Sequence, residues 1–132
     1  MNHGDLQNQS VIGYTQVIAK VATTSFAGDV VDLGLCDGPT TLVCGVGAAT
    51  GSPTGQSVTW TLQECATTGG TFTNISGAAA AAMTADKDVA LVTTFKRAER
   101  YVKTNTVVAF TGGSSPAIPL TGLIMGCKKL QP

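Results

Sequence analysis

The chain has 132 residues, and its eight basic and eight acidic side chains leave a formal net charge of zero, with only 12% of residues charged. This length suits one domain with a two-layer core, and a neutral chain lacks the field that would draw it to nucleic acid or an anionic membrane. Twenty threonines and sixteen glycines favour exposed pleats and tight turns, so they predict an all-β protein. The low charge together with 43% hydrophobic residues favours association with another protein.

The N-terminal residues 1–10 are polar, contain the only histidine, His3, and show no periodicity. They predict a flexible arm, of the kind that becomes ordered on a partner, ahead of a single domain at 11–132. The start also lacks the basic-then-apolar order of a signal peptide, and no apolar run approaches the ~20 residues that cross a bilayer. We therefore expect a chain that is made without export and has no membrane partner.

The next part of the chain predicts three short strands and a loop. Residues 14–21 alternate in polarity, two glycines bracket an apolar segment at 28–34, and residues 41–46 are largely apolar. The Asp-Gly-Pro sequence at 37–39 predicts a turn before the third strand. The glycines and proline within 45–56 predict a flexible or bulged loop that is suited to contact a partner.

Residues 57–75 spell a β-hairpin. Val58, Trp60 and Leu62 alternate with polar residues, which places three apolar side chains on the inward side of a strand. Two threonines and two glycines at 67–70 then turn the chain into a return strand. If Trp60 is buried, its indole N–H requires a hydrogen-bond partner.

The remaining residues predict a connection and three further strands. The alanine-rich segment 77–88 has the composition of a single helical turn, too short to be stable alone in water. Strands are predicted at 89–95, 100–111 and 118–128, with a glycine- and serine-rich turn at 112–116. About eight short strands at regular spacing predict an antiparallel β-sandwich or jelly roll.

The chain is poor in the side chains that catalysis requires. Its one histidine lies in the predicted arm, and most carboxylates, Glu64 included, stand beside glycines or at turn edges, where solvated residues are usual. Asp86-Lys87-Asp88 is typical of a solvated turn and lacks the spacing of a calcium loop. The glycine-rich loop lacks the spacing of a phosphate-binding loop. We therefore expect no enzyme, no cofactor and no metal site.

The four cysteines, Cys36, Cys44, Cys65 and Cys127, have no CxxC spacing and stand among apolar or small residues. This pattern favours buried thiols over a zinc site. A Cys36–Cys44 bridge that closes the predicted turn is the alternative in an oxidising compartment.

Several elements follow one another in a recognisable order. The hairpin at 57–75 precedes a strand that opens with the Lys-Arg and Arg-Tyr-Val-Lys sequences at 96–97 and 100–103, then a Thr-Gly-Gly-Ser-Ser-Pro turn and a last apolar strand at 120–127. In this order, over roughly residues 55–128, the chain resembles the small capsid decoration proteins, or cement proteins, of tailed bacteriophages. The alanine run at 78–82 departs from that pattern.

The resemblance implies a jelly-roll or related β-sandwich without enzymatic activity. Such proteins assemble as homo-oligomers, here a dimer or trimer, on the outer capsid surface of the virion, and they bridge neighbouring copies of the major capsid protein. It further implies assembly in the host cytoplasm, with no nucleic acid among the partners. We expect residues 1–10, 45–56 and 128–132 to form part of the contact.

Half of the positive charges lie within eight residues and next to a tyrosine. One interpretation is a set of solvated charges at a hairpin corner. A second is a contact with acidic groups of the capsid or of a neighbouring copy, where arginine forms bidentate bonds. Nucleic-acid binding is a third, disfavoured by the neutral chain. The candidate contact residues are Lys96, Arg97, Arg100, Tyr101 and Lys103.

Two other functions remain open from the sequence. A head–tail connector or tail component differs from a decoration protein in having few copies per particle. A carbohydrate- or host-binding β-sandwich requires exposed aromatic side chains, and with Trp60 predicted inward, Tyr14 and Tyr101 are the main ones available.

Overall fold

The structure is a computed structural model that describes residues 10–128; for 10–21, 37–39, 90–94 and 127–128 it describes the backbone alone. The described residues form nine strands and no helix, which confirms the all-β prediction. The one strand that the sequence did not predict is β2, four residues long. The strands are β1 (Ser10–Val21), β2 (Thr24–Ala27), β3 (Val31–Asp32), β4 (Cys36–Val46), β5 (Gly55–Cys65), β6 (Thr73–Ala79), β7 (Val89–Phe95), β8 (Tyr101–Thr111) and β9 (Ile118–Lys128).

The strands form two sheets in which every described pairing is antiparallel. The four-stranded sheet has the order β1-β9-β4-β7, and the five-stranded sheet has the order β2-β8-β5-β6, with β3 also paired to β8. Buried side chains from both sheets belong to one hydrophobic core. The arrangement is consistent with a β-sandwich.

The pairings are nested along the chain. The outermost pair is β1 with β9, followed inward by β2 with β8, β4 with β7 and β5 with β6. The chain therefore follows the path of one long antiparallel hairpin that is divided between two sheets. The hairpin predicted at 57–75 is its innermost part, and the turn occupies residues 66–72.

The core follows the alternation of the central strands. Val58, Trp60 and Leu62 of β5 are fully buried, as predicted. On β8 the buried positions are Val102, Thr104, Thr106 and Val108, while the intervening side chains face outward. The predicted partner of the Trp60 indole is absent, since its Nε1 atom has no hydrogen-bond partner among the described residues.

Residues 37–39, which are predicted to form a turn, instead belong to a β-bulge within β4. Asp37 pairs with Cys127 and Thr40 with Gly126, so two residues of β4 are accommodated by a bulge. Cys36 and Cys44 consequently lie on one strand, about 26 Å apart along its axis, far beyond the ~7 Å limit for a disulfide. The alternative of a Cys36–Cys44 bridge is wrong.

The expectation of buried thiols is confirmed for the three cysteines whose side chains the structure describes. Cys36, Cys44 and Cys65 are buried thiols. Burial raises the pKa of Cys44 to about 12, because the thiolate would lose its solvation in the core. The side chain of Cys127 lies outside the described part of the chain.

The alanine run does not form a helical turn. Residues 73–79 are strand β6, and the chain continues along β5, where Ala80 N donates to the Trp60 carbonyl at 3.0 Å. Met83 and Val58 then exchange two backbone hydrogen bonds of 2.9 and 3.0 Å. A short helix would leave these groups of β5 unpaired, so pairing along the sheet edge is favoured.

The loop after β4, for which the sequence predicts a flexible or bulged conformation, is held by hydrogen bonds. Ala49 N donates to the Asp86 carboxylate at 2.9 Å, so Asp86 is more than a solvated turn residue. Thr54 donates through both its main-chain N–H and its hydroxyl to the Thr111 carbonyl, and Ser114 N donates to the Gly51 carbonyl. The predicted arm, residues 1–10, lies outside the described residues except for Ser10, and so do residues 129–132.

Candidate interface at the crossover end

Three connections meet at one end of the five-stranded sheet. The pairs Asp32–Tyr101 and Cys65–Tyr101 bring the ends of β3 and β5 to the start of β8. The segment 96–100 joins β7 of one sheet to β8 of the other, so it is a crossover and the predicted hairpin corner is wrong. We call this region, residues 28–36, 64–72 and 96–103, the crossover end. It contains all five predicted contact residues.

Arg97 is held by the protein's own backbone. Its guanidinium donates to the carbonyl oxygens of Glu99 at 2.8 Å, Leu33 at 2.8 Å and Cys36 at 2.6 Å. A planar guanidinium has donors at fixed angles and can serve several acceptors at once. The Nε atom of Arg97 is buried without a partner among the described residues. Arg97 therefore connects the crossover to the β3–β4 connection, and it is not a solvated charge.

Glu64 holds the same crossover from the side of β5. Its Oε2 atom accepts hydrogen bonds from the main-chain N–H groups of Ala98 at 2.7 Å and Glu99 at 3.1 Å. Hydrogen bonds to an ionised carboxylate are stronger than those between neutral groups. The interpretation of Glu64 as a solvated turn residue is wrong, because its carboxylate binds the main chain of another segment, 34 and 35 residues away in sequence.

Arg100 forms an ion pair with Asp32 on the surface. Its Nε and Nη2 atoms donate to the two oxygens of Asp32 at 2.8 and 2.7 Å, and Gly34 N donates to Asp32 Oδ1 at 2.8 Å. The hydrogen bond from Arg100, followed by that from Gly34, lowers the pKa of Asp32 to about 2. Arg100 also lies over the Tyr101 ring, 5.1 Å from its centre. Its charge is thus already paired within the chain.

The two lysines of the crossover end have different surroundings. Lys96 is exposed at the start of the crossover. The ammonium of Lys103 lies 4.2 Å from the centre of the Phe72 ring, a cation–π contact that the sequence did not predict. Leu35 adds an apolar side chain that is 66% exposed.

The crossover end is not a positive patch. Its four cations are matched in number by four carboxylates, which come from all three segments of the crossover end. The nucleic-acid interpretation loses its electrostatic basis here, because a basic surface is its first requirement. The four carboxylates are Asp29, Asp32, Glu64 and Glu99.

A shallow apolar depression of about 360 Å³ lies at the opposite end of β4. Val89 at its rim is 68% exposed. None of its lining side chains is ionisable. Its lining residues are Gly45, Val46, Gly47, Val89, Pro119, Leu120 and Thr121.

The described residues contain neither a metal-binding cluster nor a membrane-spanning helix. No cluster of three or more histidine, cysteine, aspartate or glutamate side chains within them has the arrangement of a metal site. Nor does that part of the chain contain a helix long and apolar enough to span a membrane.

Comparison with known proteins assigns the chain to no family. No protein-family model and no curated protein matches the chain. Among solved structures it is similar to a chain of Desmodium yellow mottle tymovirus, with 13% identity over 93% of this chain and 89% of that chain. The TM-score of 0.32 is too low to assign a shared fold or function.

Proposed function

We propose that this chain is a non-enzymatic structural protein of a tailed-bacteriophage virion, which decorates the outer capsid surface and bridges copies of the major capsid protein. The observation that carries the proposal is the nested strand order. We infer from it a jelly roll, in which a long antiparallel hairpin is wrapped into two sheets. Jelly rolls form virus shells and also lectins, so the fold supports the role without selecting it.

The crossover end supplies the surface for the contact. Arg97 and Glu64 hold its backbone, so little ordering is required when a partner binds. Lys96 is exposed, Lys103 is partly exposed over the Phe72 ring, and the exposed Leu35 adds an apolar side chain to the same crossover end. Such a surface suits a partner with acidic groups around a small apolar site.

The physical benefit of decoration comes from number and symmetry. Each bound copy that spans two capsid subunits adds contact area that must be lost before those subunits separate. A homo-oligomer presents several identical sites at once, and linked sites bind more tightly than each alone. The proposed partners are therefore the major capsid protein and the chain itself, on particles assembled in the host cytoplasm.

The state of the aromatic residues disfavours a carbohydrate-binding module. Sugars bind against open aromatic faces, whereas one face of the Tyr101 ring lies under Arg100 and one face of the Phe72 ring lies under Lys103. The side chain of Tyr14 lies outside the described part of the chain. A head–tail connector or tail component is compatible with the same fold, and the number of copies per particle distinguishes it from a decoration protein.

Binding to isolated shells tests this proposal. Purified protein is added to shells that lack it, and bound copies are counted after sedimentation. We expect saturation at many copies per shell and opening of the shells at a higher temperature. Lys96→Glu with Lys103→Glu should reduce binding at least tenfold, whereas Lys87→Glu, at the opposite end of the sandwich, should not. Absence of binding by the unaltered protein contradicts the proposal.

A further inference from the structure

The apolar depression at the end of β4 is formed by a glycine between two larger side chains. Gly45 pairs with Val89 of β7 on one side and with Thr121 of β9 on the other, so the three residues form one row across the sheet. The neighbours of Gly45 in β4, Cys44 and Val46, are buried, which places the Gly45 position on the outer face. The row therefore has a gap at its centre, with a β-branched residue on each side.

Among the described residues, nothing requires a glycine at position 45. Its φ angle is outside the left-handed region, and a Cβ atom there would have only ordinary contacts, 3.6 Å from the Asp88 carbonyl oxygen and 3.7 Å from Val89 Cγ2. Gly47 differs, because a Cβ atom there would lie 2.5 Å from the Pro119 ring. Glycine weakens a strand and often marks a position that another molecule approaches closely. An approach from outside the chain accounts for Gly45.

Carboxylates lie beside the depression. Asp88 directly precedes Val89, and Asp86 accepts a hydrogen bond from Ala49 N in the adjacent loop. Neither carboxylate forms an ion pair within the described part of the chain. Lys87 lies between them in sequence, which leaves this segment with one net negative charge. An apolar site beside carboxylates suits an apolar side chain that has a cation next to it.

We propose that the depression is a second site of contact with the major capsid protein, where it receives one apolar side chain of that protein with a lysine or arginine beside it. The inference rests on the proposed function, in which each copy spans two capsid subunits and therefore needs two separate contact surfaces. The crossover end supplies one of them. The depression lies roughly 30 Å away along β4, so the two sites can reach different subunits. Their charges also differ, since the exposed Lys96 belongs to one end and the two carboxylates to the other.

A second copy of the chain in the depression conflicts with the proposed function. The exposed Leu35 of a neighbouring copy is an apolar side chain that could enter it. Such a contact would cover the crossover end and would repeat head to tail, as a ring or a filament. A copy that binds the shell through its crossover end cannot take part in this arrangement. We therefore assign the depression to the capsid protein, and sedimentation of the isolated chain tests the alternative.

Filling the depression without disturbing the fold tests the proposal. Gly45→Val adds a side chain that suits a strand, so the variant should unfold at the same urea concentration as the unaltered protein or at a higher one. Added to shells that lack the protein, it should bind at least roughly tenfold more weakly, because one of two contacts is lost. At saturation it should leave the opening temperature of the shells unchanged, because a copy held at one end bridges nothing. Asp88→Lys should also weaken binding, through repulsion of the partner's cation.

Gly55→Val is the matched control. Gly55 is a strand glycine of the other sheet, and a Cβ atom there would also have ordinary contacts, the nearest at 3.5 Å. This variant should bind and stabilise shells as the unaltered protein does. If Gly45→Val also does so, or if both glycine variants fail alike, the inference is overturned while the proposed function stands.

Two further outcomes concern the unaltered protein. If it does not bind shells, the proposed function and this inference are both overturned. If the isolated chain sediments as an oligomer that Gly45→Val dissociates, a second copy occupies the depression and the inference alone is overturned.

Discussion

The guanidinium of Arg97 donates a hydrogen bond of 2.8 Å to the carbonyl oxygen of Leu33, a residue 64 positions earlier in the chain. The bond joins the crossover between the two sheets to the connection between β3 and β4. An arginine that the sequence presents as a surface charge is therefore part of the internal framework. Lys96, its neighbour in sequence, remains exposed, and this contrast between adjacent residues gives a direct test.

Replacement of Arg97 should destabilise the fold. Arg97→Ala removes the donor from three carbonyl oxygens and is expected to lower the free energy of unfolding by about 2–4 kcal/mol. Arg97→Lys should recover only part of this loss, because an ammonium cannot reproduce the planar fork. Lys96→Ala should change the free energy of unfolding by less than about 0.5 kcal/mol. Urea unfolding followed by fluorescence of Trp60, the one tryptophan, measures all three. Equal effects at 96 and 97 would refute the assigned role.

The Asp32–Arg100 pair predicts a loss of stability in acid. Asp32 has a folded pKa of about 2, below its ordinary value of 3.8. A lowered pKa means that the ionised group stabilises the fold above about pH 4, and that this contribution disappears as the pH falls through about 2. The effect should be small, since both side chains are about half exposed. Melting temperatures from pH 6 to pH 2 should fall more for the unaltered protein than for Asp32→Asn. If the melting temperatures of the two proteins fall equally with pH, the prediction is contradicted.

Gly51 should not tolerate a side chain. Its φ angle is +81°, and a Cβ atom there would lie 2.4 Å from the Ser114 carbonyl oxygen. Gly51→Ala should cost about 1–3 kcal/mol of stability and release the loop from the turn at 112–117. Gly69→Ala is the control, because a Cβ atom at Gly69 meets nothing within 4 Å. Hydrogen exchange should show faster exchange of Ser114 N–H in Gly51→Ala alone; unchanged protection would show that this contact does not hold the loop.

Cys44 should resist alkylation in the folded protein. It is fully buried, and its pKa is raised to about 12, so the reactive thiolate is scarce at neutral pH. Iodoacetamide labelling, with the modified peptides located by mass spectrometry, should leave Cys44 unmodified in buffer and modify it in urea. Rapid labelling in buffer would mean that this part of β4 opens easily.

The sequence predicts strands well where one face is buried and the other exposed. The alternation around Trp60 and along β8 predicts both the strands and their buried sides, because apolar residues at every second position lie on one face of a β-strand. Short strands such as β2 carry too few residues to show a period. The Asp-Gly-Pro sequence at 37–39 has the composition of a turn, yet pairing with β9 retains it within β4.

The sequence shows that the five candidate contact residues lie close together, but it does not show what they contact within the fold. Several of their partners belong to segments that are distant in sequence, such as Leu33 for Arg97, Asp32 for Arg100 and Phe72 for Lys103. The five residues are Lys96, Arg97, Arg100, Tyr101 and Lys103. Glu64 reaches the crossover only because β5 ends beside the start of β8. No local pattern marks such a pairing, and the neutrality of the crossover end follows from the fold rather than from composition.

The number of copies per particle tests the central claim most directly. Quantitative mass spectrometry of virions purified from the source gives the ratio of this chain to the major capsid protein. Decoration of the whole shell predicts roughly one copy for every one to three copies of the capsid protein, since symmetric shells repeat each site many times. A handful of copies would place the chain at the head–tail junction, and its absence from virions would contradict a structural role in the particle.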